Sequence, residues 1–266
     1  MIISVLSPHA KNIGVTTTAM LTAMGLADFK RKVLLTHVEP RSLAFELYLG
    51  LKAYEDKTST PSQLVKLMRE GAIKAEEIGD FCKTINDYLD VFTNNATNFS
   101  SEDMGELIRF LLTSSTPYDY MVFDIDGDSS SKEAQFVLGK SDLVLLNVSN
   151  SYLEATKFVE NKDFIMKLCA GKKVILVCNG YDSKIGKLKD LSKKLGVDTS
   201  IFVIRRNAWV AWACNNGKLG YLFSQGRMKD PDVYDIYKDS MILASAVSKA
   251  KVAIAKGKRS KGVTIR

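Results

Sequence analysis

Short runs of consecutive apolar residues alternate along this chain with longer segments whose apolar positions recur at helical spacing. The short runs read as strands over Ile2–Leu6, Val33–Thr36, Tyr88–Thr93, Tyr120–Asp124, Leu143–Val148, Lys173–Cys178 and Ile201–Ile204. Several of them, such as MVFD, LVLLNV and VILVCN, are apolar on both faces, as parallel strands are when helices cover both sides of a sheet. The segments between them predict helices over Thr17–Phe29, Ser62–Arg69, Ser101–Leu112, Leu153–Leu168 and Lys184–Leu195. Strands alternating with helices of this length predict an α/β fold, a doubly wound and mostly parallel sheet with helices on both faces. No internal repeat and no Pro/Gly/Ser-rich linker breaks the pattern. One domain is expected over residues 1–248, followed by a basic C-terminal tail over 249–266.

The most informative stretch is Ser7–Ala19, SPHAKNIGVTTTA, between the first strand and the first long helix. A loop at this place sets backbone N–H groups and a helix N-terminus where they can hold phosphate. Three consecutive threonines at the helix start supply hydroxyls for capping or for magnesium. The plain alternative is an ordinary strand-to-helix turn with capping threonines. Asp124 ends a buried strand, where an acid either caps a loop or reaches a metal shell. Asn179 ends another strand, where Asn commonly satisfies turn backbone groups. His37 reads as a structural or surface residue. Trp209 and Trp212, three apart, would lie on one side of a helix or turn, where core packing is the first reading and a partner or nucleobase platform the second.

At this point the sequence resembles the MinD/ParA ATPases, whose deviant Walker A motif reads KGGxGKT followed by Ser or Thr. Aligned without a gap, Gly14 falls on the glycine before the Walker lysine and Thr16 on the magnesium-ligand threonine, with Thr17 and Thr18 following. Val15 stands at the Walker lysine, Ala10 at the signature lysine, and Lys11 and Asn12 at the two early glycines. VLLTHVEPRSLAFELYLGL resembles the segment usually written VLLIDxDPQ, with His37 and Glu39 on the family's two aspartates and Pro40 matching directly. YDYMVFDIDGD resembles the YDxVIIDxPxG strand and switch, which places Asp124 on the Walker B-like acid, Asp126 on the proline and Gly127 close to the switch glycine. LVLLNVSNSYLEA and VILVCNGYD resemble two later strands, the second putting Asn179 where the family contacts adenine. FVIRRNAWVAWACNNGKLGY resembles the IPxDxxVxEAxxxGxPL segment, with Ala213 and Gly217 in register.

The resemblance implies a Rossmann-like P-loop fold and ATP or ADP with magnesium as cofactor. It implies nucleotide binding by Lys11, Asn12, Ile13, Gly14, Val15, Thr16, Thr17 and Asn179, with Thr16 and Asp124 in the metal shell. It implies a homodimer with nucleotide between the protomers, working to position an unidentified protein cargo, a plasmid, a chromosome region or an envelope machine. Without a cation on the β- and γ-phosphates, charge developing in phosphoryl transfer has little to stabilise it, so weak or absent hydrolysis is expected. Two alternatives stay open: an active but atypical ATPase using Lys11 or a lysine of a partner protomer, and a nucleotide-free nucleic-acid adaptor.

Charge sharpens the last alternative. Of the 37 Lys and Arg, seven lie between Lys249 and Arg266 with no acid among them, and the other 30 match the 30 acids. Three readings of the tail stay open: solvated disorder, attachment to an anionic membrane surface and binding to the DNA backbone, the last two needing no sequence recognition. No run of about 18 apolar residues occurs, and the start lacks the basic-then-apolar pattern of a signal peptide. A cytoplasmic protein, peripheral to the nucleoid or the inner membrane surface, is expected. Cys82, Cys169, Cys178 and Cys214 form no CxxC pair, and the only histidines are His9 and His37. That spacing fits neither a zinc site nor a disulfide framework.

Overall fold

The computed structural model describes residues 1–7, 13–39, 42–52, 60–94, 99–125, 127, 129–197 and 200–256. Its centre is a sheet of eight strands: β1 (Ile2–Leu6), β2 (Val33–His37), β3 (Lys83–Asn86), β4 (Leu89–Val91), β5 (Tyr120–Ile125), β6 (Leu143–Val148), β7 (Lys173–Tyr181) and β8 (Ile201–Arg205). The spatial order is β3-β4-β2-β5-β1-β6-β7-β8. Every pairing is parallel except that of β3 with β4. The expected doubly wound sheet is therefore what forms.

Helices α1 (Val15–Asp28) and α2 (Ala44–Leu49) lie on one face. Helices α3 (Pro61–Arg69), α4 (Ser101–Thr113), α5 (Lys132–Lys140), α6 (Tyr152–Glu160), α7 (Lys162–Leu168) and α8 (Leu188–Leu195) cover the other. The chain then returns to the first face with α9 (Ala208–Asn215), α10 (Leu219–Arg227) and α11 (Tyr234–Ala255). Burial of the inner strands on both sides explains their lack of alternation. β2, β5 and β6 are buried at every residue.

Helix α1 is enclosed almost all round: from Val15 to Ala27 only Thr17 escapes full burial. The sheet lies beneath it and α11 above, and Gly25 allows the close crossing. A Cβ there would stand 3.0 Å from both the Ala244 Cβ and the Ser240 carbonyl oxygen. The boundary expected at residue 248 falls inside α11, which runs on to Ala255. Lys251 is tied into the fold, donating to the Asp119 carbonyl at 2.9 Å with its Nζ 4.4 Å from the Tyr120 ring centroid. Lys258, Arg259, Lys261 and Arg266 lie outside the described residues. No helix among the described residues is long and apolar enough to cross a membrane.

The differences from the sequence reading are local. The helix expected over Leu153–Leu168 breaks at Asn161, whose side-chain amide donates to the Lys157 carbonyl at 2.8 Å. Strand β3 is four residues long and pairs only with β4, too short for a periodic signal. Helices α2, α5, α9 and α10 have six to nine residues each and escape notice for the same reason.

Candidate functional site

Four strands end alike on the side facing α1. Taking every second residue, β2 presents Val33, Leu35 and His37, and β5 presents Tyr120, Val122 and Asp124. Likewise β6 presents Leu143, Leu145 and Asn147, and β7 presents Ile175, Val177 and Asn179. The apolar members all belong to the core under α1. Because side chains alternate with period two, the polar residue that follows each apolar pair stands at the carboxyl end of the sheet, beside the start of α1. The chain leaves β1 toward β2 and leaves β6 toward β7, in opposite directions across the sheet. A crevice at the ends of β1 and β6, lined by Ser7, Ile13, Asn147, Ser149 and Glu154, is thus the topological switch point. Open α/β sheets bind their ligands at that place.

The N-terminus of α1 is clasped from below. Gly14 caps it in the left-handed region, at φ 77° and ψ 32°. The Asn179 amide donates to the Gly14 carbonyl at 2.8 Å and to Thr18 Oγ1 at 2.9 Å. The Asn147 amide donates to the same Thr18 oxygen at 3.1 Å and, at 3.5 Å, to the Ile13 carbonyl. Two strand-end asparagines thereby hold one buried threonine and the turn before it. Asn179 was expected at an adenine; its Nδ2 is spent on the helix start, which leaves its Oδ1 as the atom able to meet a base. Asn147 escaped the sequence reading. Its signal was there, a polar residue closing the apolar row of LVLLNV.

Thr16 donates to Asp124 Oδ2 at 2.7 Å, and both residues are buried. Their oxygens sit beside the α1 N-terminus, so this pair fits the shell of a magnesium ion carried by a nucleotide. Val15 does not fit the lysine's task. It is 2% exposed and packs in the core beneath α1, with no charged atom to offer a phosphate. Thr17 is half-buried against the Cys214 thiol, whose pKa burial pushes up to about 11 despite that contact. Lys11 and Asn12, expected at the phosphates, lie outside the described residues, as do Ala10, Pro40 and Asp126.

His37 is not a surface residue. It is 2% exposed, its ring lies 5.5 Å from that of Phe45, and it pairs in register with Asp124 across β2 and β5. Neither ring nitrogen has a hydrogen-bond partner. Burial lowers its pKa to about 4, and the nearby Glu39 backbone opposes that shift without completing a bond. The unfolded chain takes up this proton near 6.5 and the folded chain near 4, so the unfolded state holds the extra proton between the two. Stability is therefore lost as pH falls through that window, by about 3 kcal/mol when complete. Urea unfolding of metal-free protein at pH 7 and pH 4.5 should show it. His37→Asn should remove most of the difference, and an unchanged pH slope in that variant would contradict the assignment.

Trp209 and Trp212 do not enter the core as expected. They are 45% and 42% exposed and meet edge-to-face at 5.6 Å. Helix α9 follows β8 at the edge of the sheet, and among its residues Ala213 alone is buried. The four cysteines are free, three partly buried and Cys178 fully so.

The arrangement defines a class: a doubly wound sheet with a helix N-terminus, a Thr–Asp pair and strand-end amides gathered at its switch point. No protein-family model and no curated protein matches the sequence. Solved structures do match. MinD of Pyrococcus horikoshii OT3, a septum site-determining protein complexed with Mg-ADP, superposes with a TM-score of 0.69 at 16% identity over 97% of this chain and 98% of its own. A ParA family ATPase from Chlorobium tepidum TLS gives 0.67 at 16% identity, over 91% and 96%. A putative plasmid partition protein from Borrelia burgdorferi B31 bound to AMPPNP gives 0.65 at 16% identity, over 93% and 98%. The chain has the fold of the MinD and ParA ATPases over more than nine-tenths of its length.

Proposed function

We propose that the protein is a MinD/ParA-like positioning or partitioning protein that holds ATP or ADP with magnesium and hydrolyses ATP weakly or not at all. One juxtaposition carries the reading: Thr16 and Asp124 stand 2.7 Å apart at the α1 N-terminus, while Val15 between the loop and the helix is turned into the core. The first half keeps a metal shell, and the second removes the cation that stabilises phosphoryl transfer. The clasp of Asn147 and Asn179 supports it further, because a fixed helix start presents its N–H groups without reorganisation. In this reading nucleotide sits between two protomers of a homodimer and sets the affinity for a protein cargo. The basic segment Lys249–Arg266 supplies a salt-sensitive hold on DNA or an anionic membrane surface.

Calorimetry on protein freed of nucleotide tests this directly. ATP and ADP should bind in the micromolar range and more weakly without magnesium. Thr16→Ala and Asp124→Asn should each reduce the magnesium-dependent part by about ten-fold, the loss of one oxygen ligand. No detectable binding of either nucleotide would sink the switch, leaving a scaffold that kept the fold alone.

A further inference from the structure

The Thr16–Asp124 pair has a neighbour whose chemistry is not that of magnesium. His37 and Asp124 are register partners on adjacent parallel strands, and their side chains leave the sheet on the same face. Adjacent strands run about 4.8 Å apart, within the span that one metal ion bridges. The two residues are held in place by the sheet itself, since the Val38 N–H donates to the Asp124 carbonyl at 3.0 Å just beyond the pair. His37 and Asp124 are 2% and 3% exposed, and both imidazole nitrogens of His37 lack a hydrogen-bond partner. An imidazole buried in that state is costly, and a bound ion is one of the few things that satisfies it. Phe45 closes the other side of the ring.

We propose that His37, Asp124 and Thr16 form a cation site selective for a divalent first-row transition metal, manganese, cobalt or zinc, over magnesium. The proposal rests on the reading of Thr16 and Asp124 as a cation position. Magnesium takes oxygen ligands in near-ideal octahedral geometry, whereas an imidazole nitrogen suits the transition metals. Among the described residues no three His, Cys, Asp or Glu side chains converge to hold an ion by themselves. The protein offers one nitrogen, one carboxylate and one hydroxyl, and water or a nucleotide phosphate completes the shell. The site is therefore an exchangeable one whose metal choice is set by residue 37. With an aspartate there, the donor set would be all oxygen and the preference would revert to magnesium.

The test uses the full chain stripped of metal by EDTA. Manganese(II), cobalt(II) and magnesium are titrated separately by calorimetry, and the manganese complex is examined by pulsed electron paramagnetic resonance. Manganese and cobalt should bind at least ~10-fold more tightly than magnesium, because both accept an imidazole nitrogen that magnesium, held to oxygen ligands, does not. The manganese signal should carry nitrogen hyperfine coupling from an imidazole. His37→Asp should abolish that coupling and bring the magnesium and manganese affinities together. The chain's other histidine is His9, so His9→Gln should leave the coupling intact. If His37→Asp does not fold, the wild-type and His9→Gln spectra still decide. Absence of nitrogen coupling in the wild type, its loss in His9→Gln, or equal magnesium and manganese affinity in the wild type would each overturn the proposal. Magnesium-supported ATP binding without nitrogen coupling would remove this site and leave the nucleotide switch standing. Nitrogen coupling without any nucleotide binding would do the opposite.

Discussion

Replacing Val15 by lysine is expected to destabilise the fold by about 3 kcal/mol, not to rebuild a working phosphate loop. Val15 begins α1, is 2% exposed, and packs among the apolar residues that seal the helix onto the sheet. A lysine there must either carry an unpaired ammonium into that core or drag its stem outward and leave a gap. Both options cost stability, the first through desolvation and the second through lost packing. The groups able to compensate are few. Asp124 is already engaged by Thr16. Urea unfolding in the absence of nucleotide measures the loss, and a turnover assay on the same sample asks whether activity appears. A Val15→Lys variant as stable as the parent, with new ATP hydrolysis, would show that residue 15 can face the phosphates. The core assignment of Val15 would then be wrong, and with it the expectation of weak hydrolysis.

The second large effect lies away from the strand ends. Gly50 closes α2 at φ 64°, and Gly217 turns the chain between α9 and α10 at φ 64°. A Cβ on Gly50 would stand 2.5 Å from the Gly217 carbonyl oxygen, and one on Gly217 would stand 2.7 Å from the Gly50 Cα. Both obstacles are backbone atoms, which cannot rotate aside. Gly50→Ala should therefore lower the unfolding free energy by about 3 kcal/mol, part from a left-handed non-glycine residue and part from prising α2 off the α9–α10 corner. Gly217→Ala should do the same. Because the two changes break one contact, the double variant should cost clearly less than the sum of the singles. Full additivity in urea melts would mean that the glycines act separately, through local turn strain alone. Helix α2 also carries Phe45, the wall of the His37 ring, so these variants should perturb metal binding as well.

Much of the framework was legible because burial on both faces leaves a plain mark. The runs MVFD, LVLLNV and VILVCN became β5, β6 and β7, each parallel to its neighbours. Thr16 and Asp124 were legible as well. It was the resemblance to the MinD/ParA motifs that singled the two out, since a capping threonine and a loop-capping acid read the same in sequence, and the fold brings them within 2.7 Å. Short elements were not legible. Helix α9 spans eight residues, AWVAWACN, and its apolar composition argued for burial. Packing against α1 and α2, with Cys214 on Thr17 and the following Gly217 on Gly50, sank only Ala213 and left the tryptophans in solvent instead.

The sequence by itself determined which residues share a face. Period two within a strand and the helical period of α1 settle that from neighbours in the chain. What lies across that face was decided only by tertiary structure. His37 meets Asp124 because crossovers place β2 beside β5, and Asn147 and Asn179 reach Thr18 because β6 and β7 end under α1. Val15 is a core residue because α1 is packed into the apolar cluster on that face of the sheet. Strand order and helix placement arise from how whole surfaces pack, a long-range balance that no window of the chain contains.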